Sequence, residues 1–231
     1  MIEYLGKTIL TTLEELVDPR HTALIIVDIQ NDAVTRDGQV IYPQLLRSVK
    51  ALLSQARRSG VFVVYIKDTT LKNRISDSPS YLRRYMISRK LDHPSKIKLA
   101  VVEGTWGQQF PPDIAPREDE IVLRKYRSSA FHGTPLDMFL RNRGIKTIVV
   151  VGLATEGCVA STCRDGGDEY FVVVVKDAVV TSSANEIHEA ALKVLASRYD
   201  MATTEELLRT WTEPHIEAVK ISPAQAAQLS N

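Results

Sequence analysis

Residues 22–30, TALIIVDIQ, run apolar without alternation until an aspartate and a glutamine close the stretch. A strand with one solvated face alternates polar and apolar residues, whereas an unbroken apolar run suits a strand covered on both faces. Residues 42–60, YPQLLRSVKALLSQARRSG, then place Leu45, Leu46, Val49, Leu52, Leu53 and Ala56 at helical spacing, and Gly60 supplies a stop signal. VFVVYIKD (61–68) reads as the next strand. The same alternation returns as strand EIVLRK (120–125), helix TPLDMFLRNRG (134–144) and strand TIVVVGLA (147–154). It continues as helix TEGCVASTCRDGGDE (155–169), strand YFVVVVKDA (170–178), helix SANEIHEAALKVLASR (183–198) and a short strand around Met201. Six strands separated by helices predict an α/β fold: a doubly wound six-stranded parallel sheet with helices on both faces, in a single domain over 1–231.

Two segments depart from the alternation. Residues 68–117 form a basic, proline-punctuated insertion expected to hold a helix near SPSYLRRYMISRKL. An insertion of this length reads as a lid or as an interface arm. Residues 212–231 read as a C-terminal tail docking on the body or on a neighbour.

Composition removes several classes of function. The chain has 29 basic and 28 acidic residues and a formal net charge of +1, so bulk charge recruits neither nucleic acid nor an anionic membrane. Its apolar runs are too short to span a bilayer, and the first twenty residues lack the apolar core of a signal peptide, which predicts a cytoplasmic protein. The five histidines are scattered, and Cys158 and Cys163 are spaced against a disulfide on a helix. Neither a metal nor an organic cofactor is indicated.

Ligands of an open α/β sheet bind beyond the carboxyl ends of its strands. Asp28, Lys125 and Cys158 fall at such ends. Each has an ordinary structural alternative: a capping carboxylate, one cation of a solvated stretch, a small buried hydrophobe. Against the last stands the position of Cys158 at the start of the 155–169 helix, where free N–H groups and the helix dipole would favour a thiolate. Cys163, inside that helix, is assigned to packing.

Taken together, IIVDIQND, VLRKYRSSAFHGTPLD and VVVGLATEGCVASTCRDG resemble, in order and spacing, the motifs of the isochorismatase-like cysteine hydrolases. The resemblance covers roughly residues 20–205 and places the family's catalytic aspartate, lysine and cysteine at Asp28, Lys125 and Cys158. It implies cofactor-free hydrolysis of a C–N bond in a small ureido, carbamoyl or carboxamide compound, through a thioester. It further implies a cis peptide at Leu153–Ala154, an oxyanion hole built from the N–H groups of Ala154 and Cys158, and a homo-oligomer, dimer or tetramer. Nicotinamidases of the family add an aspartate and two histidines for a metal. Here Asp68 remains, without histidines, in KDTTLKNRISDSPSYL. Gln30, Asn31, Trp106 and Phe131 are the expected substrate contacts, although the amides also suit strand-end capping and Trp106 suits an anchor for the insertion. The insertion's basic residues read either as a lid gripping a substrate carboxylate or as a solvated face or subunit contact. Two other functions stay open: vinyl-ether hydrolysis with Asp28 as acid, as in the isochorismatase branch, and a non-catalytic binding or assembly role.

Overall fold

The computed structural model describes residues 1–212. Six strands form one parallel sheet: β1 Thr22–Val27, β2 Phe62–Asp68, β3 Ile121–Lys125, β4 Thr147–Leu153, β5 Phe171–Val180 and β6 Asp200–Ala202. Their order is β6-β5-β4-β1-β2-β3. The chain first winds outward from β1 to one edge, then returns to β4 and winds to the other. The direction reverses between β1 and β4, and at that switch the crossover connections leave a crevice at the carboxyl ends of the strands.

Besides two single-turn helices, Leu13–Leu16 and Asn31–Val34, the described residues form the helices α1 Pro43–Ser59, α2 Pro79–Arg89, α3 Leu136–Asn142, α4 Ala160–Gly166, α5 Asn185–Ala196 and α6 Thr204–Thr210. β1 explains why both sheet faces are covered. Leu24 and Ile26 point into a layer shared with Leu45, Val49, Leu52 and Leu53 of α1 and Leu207 of α6. Ala23, Ile25 and Val27 point into the opposite layer, with Leu136 and Leu140 of α3, Cys163 of α4 and Leu195 of α5. The two-residue period of a strand thus divides one apolar run between two cores. Cys163 is fully buried there, in agreement with a packing role.

Several boundaries differ from expectation. β1 stops at Val27 because Asp28 adopts φ 56°, which turns the chain out of the sheet. The expected helix over 155–169 shortens to α4, preceded by a π-helical turn, Thr155–Val159. An antiparallel hairpin, Ile2–Tyr4 with Lys7–Ile9, and α6 lie outside the sequence reading. The insertion carries α2, within the range expected, and three short 3-10 turns. The tail expected at 212–231 lies, apart from Thr212, outside the described residues.

Candidate active site

Asp28, Lys125 and Cys158 converge at the switch point. Asp28 holds the left-handed conformation, which Asp tolerates better than most residues. Its N–H donates to the Ile66 carbonyl (3.1 Å), and its carbonyl accepts from the Gln30 N–H (2.8 Å). The bend takes its carboxylate out of the row of core side chains. Lys125 ends β3, on the far side of β2, and its four-carbon stem crosses the end of β2 to reach Asp28. Its ammonium lies 2.8 Å from Asp28 Oδ2, 3.4 Å from Asp68 Oδ1 and 3.0 Å from the Arg127 carbonyl, and it donates to Cys158 Sγ at 3.3 Å.

The turn that carries Cys158 is seated by two constraints. Gly152, opposite Val27 in the register, has φ +124°, and a Cβ there would lie 2.0 Å from the Val27 carbonyl oxygen. Only glycine lets β4 pass β1 this closely. Downstream, the Thr162 hydroxyl donates to the Cys158 carbonyl (2.7 Å) and accepts from the Ala130 N–H (3.0 Å). One fully buried threonine therefore joins the cysteine turn to the loop that follows Lys125. The Leu153–Ala154 peptide bond is cis, as the resemblance implied.

Burial dominates the electrostatics. It pushes the Asp28 carboxyl up to about 6; Lys125 holds it back, while Asp68 adds to the rise. Burial pulls on the Lys125 ammonium in the opposite direction, but Asp28 and Asp68 outweigh it and raise the value. The Cys158 thiol is driven up by burial and then by the charge of Asp28, against the pull of Lys125. This reverses the expectation of a dipole-stabilised thiolate. The cysteine sits in a π turn, broken at Gly157 (φ −106°, ψ −105°), before α4 begins, and its surroundings favour the neutral thiol. Meanwhile Asp28 Oδ1 is buried with no hydrogen-bond partner, an open acceptor on the carboxylate that interacts with this thiol.

A cleft of about 420 Å³, its open mouth included, rises from Lys125 and Cys158. Asp68, Tyr81, Arg84, Tyr85, Arg127 and Ser128 contribute to its walls. The four expected substrate contacts lie elsewhere. Gln30 donates its side-chain amide to the carbonyls of Asp68 (2.9 Å) and Gln108 (3.0 Å), tying the end of β1 to the insertion. Asn31 donates to the Trp106 carbonyl (2.9 Å). The Trp106 ring is 60% exposed and outside the cleft, and Phe131 stacks on Tyr170 with centroids 6.0 Å apart. The amides were attracted to backbone carbonyls brought near by folding, and neither aromatic residue lines the cleft. Of the wall residues, Arg84 was visible only as one member of a basic run. Tyr81 and Tyr85, four apart on α2, carried no signal beyond that spacing.

Among the described residues no cluster of three or more His, Cys, Asp and Glu side chains is placed to hold a metal ion, and no helix is long and apolar enough to cross a membrane. Asp68 is engaged with Lys125.

Fold and site define a doubly wound α/β protein with a carboxylate, an ammonium and a thiol gathered at its switch point. The chain belongs to the isochorismatase family: the model of the isochorismatase domain matches residues 22–206. It is 31% identical over 187 residues to the ureidoacrylate amidohydrolase RutB of Enterobacter sp. (strain 638), covering 75% of this chain and 81% of that protein. It also resembles the structure of a cysteine hydrolase from Pseudomonas syringae pv. phaseolicola 1448A (TM-score 0.72, 25% identity, 85% of this chain and 94% of that one). The N-carbamoylsarcosine amidase of Thermoplasma acidophilum is similar as well (TM-score 0.63, 26% identity, 86% and 99% covered).

Proposed function

We propose that this protein is a cysteine amidohydrolase that cleaves a C–N bond of a small ureido, carbamoyl or carboxamide compound through a thioester on Cys158. The observation that carries this reading is the unpartnered Oδ1 of Asp28, on a carboxylate raised to about 6, beside a neutral thiol whose sulfur already contacts the Lys125 ammonium. A base with that affinity for a proton is suited to accept one from the thiol near neutrality. The names of RutB and of the carbamoylsarcosine amidase support the C–N bond class.

The S–H proton moves to Asp28 as Sγ bonds to the substrate carbonyl carbon, and the carbonyl π pair becomes an oxyanion. The backbone N–H groups of Ala154 and Cys158 receive that charge. Lys125, placed between sulfur and carboxylate, offsets the negative charge in whichever of them holds it. On collapse the C–N bond breaks and Asp28 returns its proton to the leaving nitrogen. Water then attacks the thioester, giving its proton to Asp28. The C–S bond breaks, and the sulfur recovers that proton as the carboxylic or carbamic acid departs.

The test is acid-quenched intact mass spectrometry during turnover of carboxamide and ureido substrates, with ammonia release followed in parallel. A mass increment on Cys158, with adduct and turnover both lost in Cys158→Ala, is the expected result. Full ammonia release by the alanine variant would overturn the thioester route. Turnover of a vinyl ether that survives Cys158→Ala and is lost in Asp28→Asn would assign the other branch of the family.

A further inference from the structure

We infer that His188 is a positioning residue for the reaction: through the Thr155 hydroxyl, its imidazole holds the upstream half of the turn that carries Cys158. The inference rests on the amidohydrolase reading, in which Cys158 attacks and the N–H groups of Ala154 and Cys158 receive the oxyanion. It adds to that reading a side chain that is not part of the cleft wall.

The need for an anchor comes from the turn itself. One oxyanion can meet both N–H groups only if Ala154 and Cys158 keep a fixed spacing. Between them lies Gly157, where the helical conformation breaks. A glycine has the widest choice of dihedrals, so this point is a hinge in the stretch whose geometry matters most. The turn's own bonds are few. The N–H groups of Gly157 and Val159 both end on the Ala154 carbonyl (2.9 and 3.1 Å), and that of Ala160 ends on the carbonyls of Thr155 and Gly157. Side chains on either side of the hinge supply the rest.

Downstream, the Thr162 hydroxyl fixes the Cys158 carbonyl. Upstream, Thr155 Oγ1 lies 2.9 Å from His188 Nδ1, a partner 33 residues away in sequence. Thr155 is fully buried, and His188 is half-buried in the first turn of α5. The next residue, Glu156, accepts from the Ser183 hydroxyl (2.9 Å), so two successive residues of the turn meet one segment, 183–188. That segment is itself held at both ends. Before it, the Tyr42 hydroxyl donates to the Thr181 carbonyl (2.8 Å); after it, Leu195 seats α5 in the core layer of the sheet. A hydroxyl and an imidazole Nδ1 can bond with either one as donor, so the link survives a change of tautomer. Cys158 thus sits between two anchors, one on the loop after β3 and one on α5.

The test follows ammonia release from 3-ureidopropanoate and from butanamide. His188→Ala is expected to lower kcat about tenfold and to leave KM within about twofold, because the lost bond is outside the cleft. Thr155→Val should do the same, and the double variant should lose no more than either, since each single change removes the same link. His188→Asn, whose side-chain amide can stand where Nδ1 stands, should restore most of kcat. Hydrogen exchange reads the turn without turnover: amides of residues 154–159 should exchange about tenfold faster in His188→Ala, a larger change than in β1. An unchanged kcat, a loss confined to KM, additive losses in the double variant or unchanged exchange in the turn overturns the positioning role. Faster exchange in His188→Ala, in a protein whose Cys158→Ala variant keeps full ammonia release, would retain the anchor and reject the thioester reading. Ammonia release that depends on Cys158, with kcat and exchange unchanged in His188→Ala, would do the reverse.

Discussion

Replacing Lys125 by methionine removes the ammonium and keeps most of the buried stem, so it isolates what the charge does for Asp28. The sign follows from proton linkage. Asp28 has a folded value of about 6 against an ordinary 3.8, so between these values the folded protein binds a proton that the unfolded chain has lost. Its burial therefore erodes stability as pH rises from the lower value to the upper one, and adds nothing further above about 6. Without Lys125 the folded value climbs higher and the erosion continues. Lysine 125 itself, shifted upward, stays charged in both states over this range and contributes no slope. The wild-type and variant curves should consequently run parallel below about pH 6, separated by the lost packing and by the lost contacts of the ammonium with the Arg127 carbonyl, Asp68 and Cys158, about 1–3 kcal/mol. Above it they diverge by about 1.4 kcal/mol per pH unit, reaching roughly 2 kcal/mol of additional loss near pH 7.5. Urea unfolding of both proteins at about pH 5 and 7.5 reads the difference directly. A gap of the same size at both pH values would show that Asp28 does not depend on Lys125 for its charge, and the electrostatic account of the site would fall with it.

Three further outcomes follow from the same geometry. The kcat/KM profile should rise with an apparent pKa of about 6, because Asp28 must be ionised to take the thiol proton; a rate independent of pH from about 5 to 8 contradicts that role. Thr162→Val leaves the Cys158 carbonyl and the Ala130 N–H without their shared partner in a dry interior, so chemical denaturation should show a loss of about 1–3 kcal/mol, with kcat reduced and Thr162→Ser restoring both. Gly152→Ala drives a methyl group into the Val27 carbonyl at a positive φ, and should lower stability by more than about 3 kcal/mol in thermal melts, whereas Gly38→Ala, with no atom near its Cβ position, should cost less.

The sheet was legible because a strand buried on both faces has no polar option. Thr22–Val27 and Thr147–Leu153 are buried along their whole length, and the sequence has unbroken apolar runs at both. Asp28, Lys125 and Cys158 were legible for the complementary reason: each interrupts or follows such a run, at the end of the sheet where a charge or thiol can be reached. The substrate contacts were not. Gln30 and Asn31 have the right chemistry next to the right motif, yet which carbonyl an amide meets depends on segments about 40 to 80 residues away. Arg84 and Arg127 belong to different segments, and nothing in one basic run announces that both will line one cleft.

Apolar periodicity, then, was enough to establish six parallel strands, their covering helices other than α6 and the strand ends where chemistry collects, since these depend on local pattern and on the burial that pattern requires. Tertiary structure alone decided the direction in which the site's pKa values move. A helix start next to Cys158 argues for a thiolate when read along the chain, but the folded surroundings place the half-buried cysteine in a π turn and set the Asp28 carboxylate against it. Desolvation and through-space charge depend on what comes near in three dimensions, and both act here against the thiolate. The same holds for the walls of the cleft, where α2 and the loop after β3 meet only because the sheet brings them together.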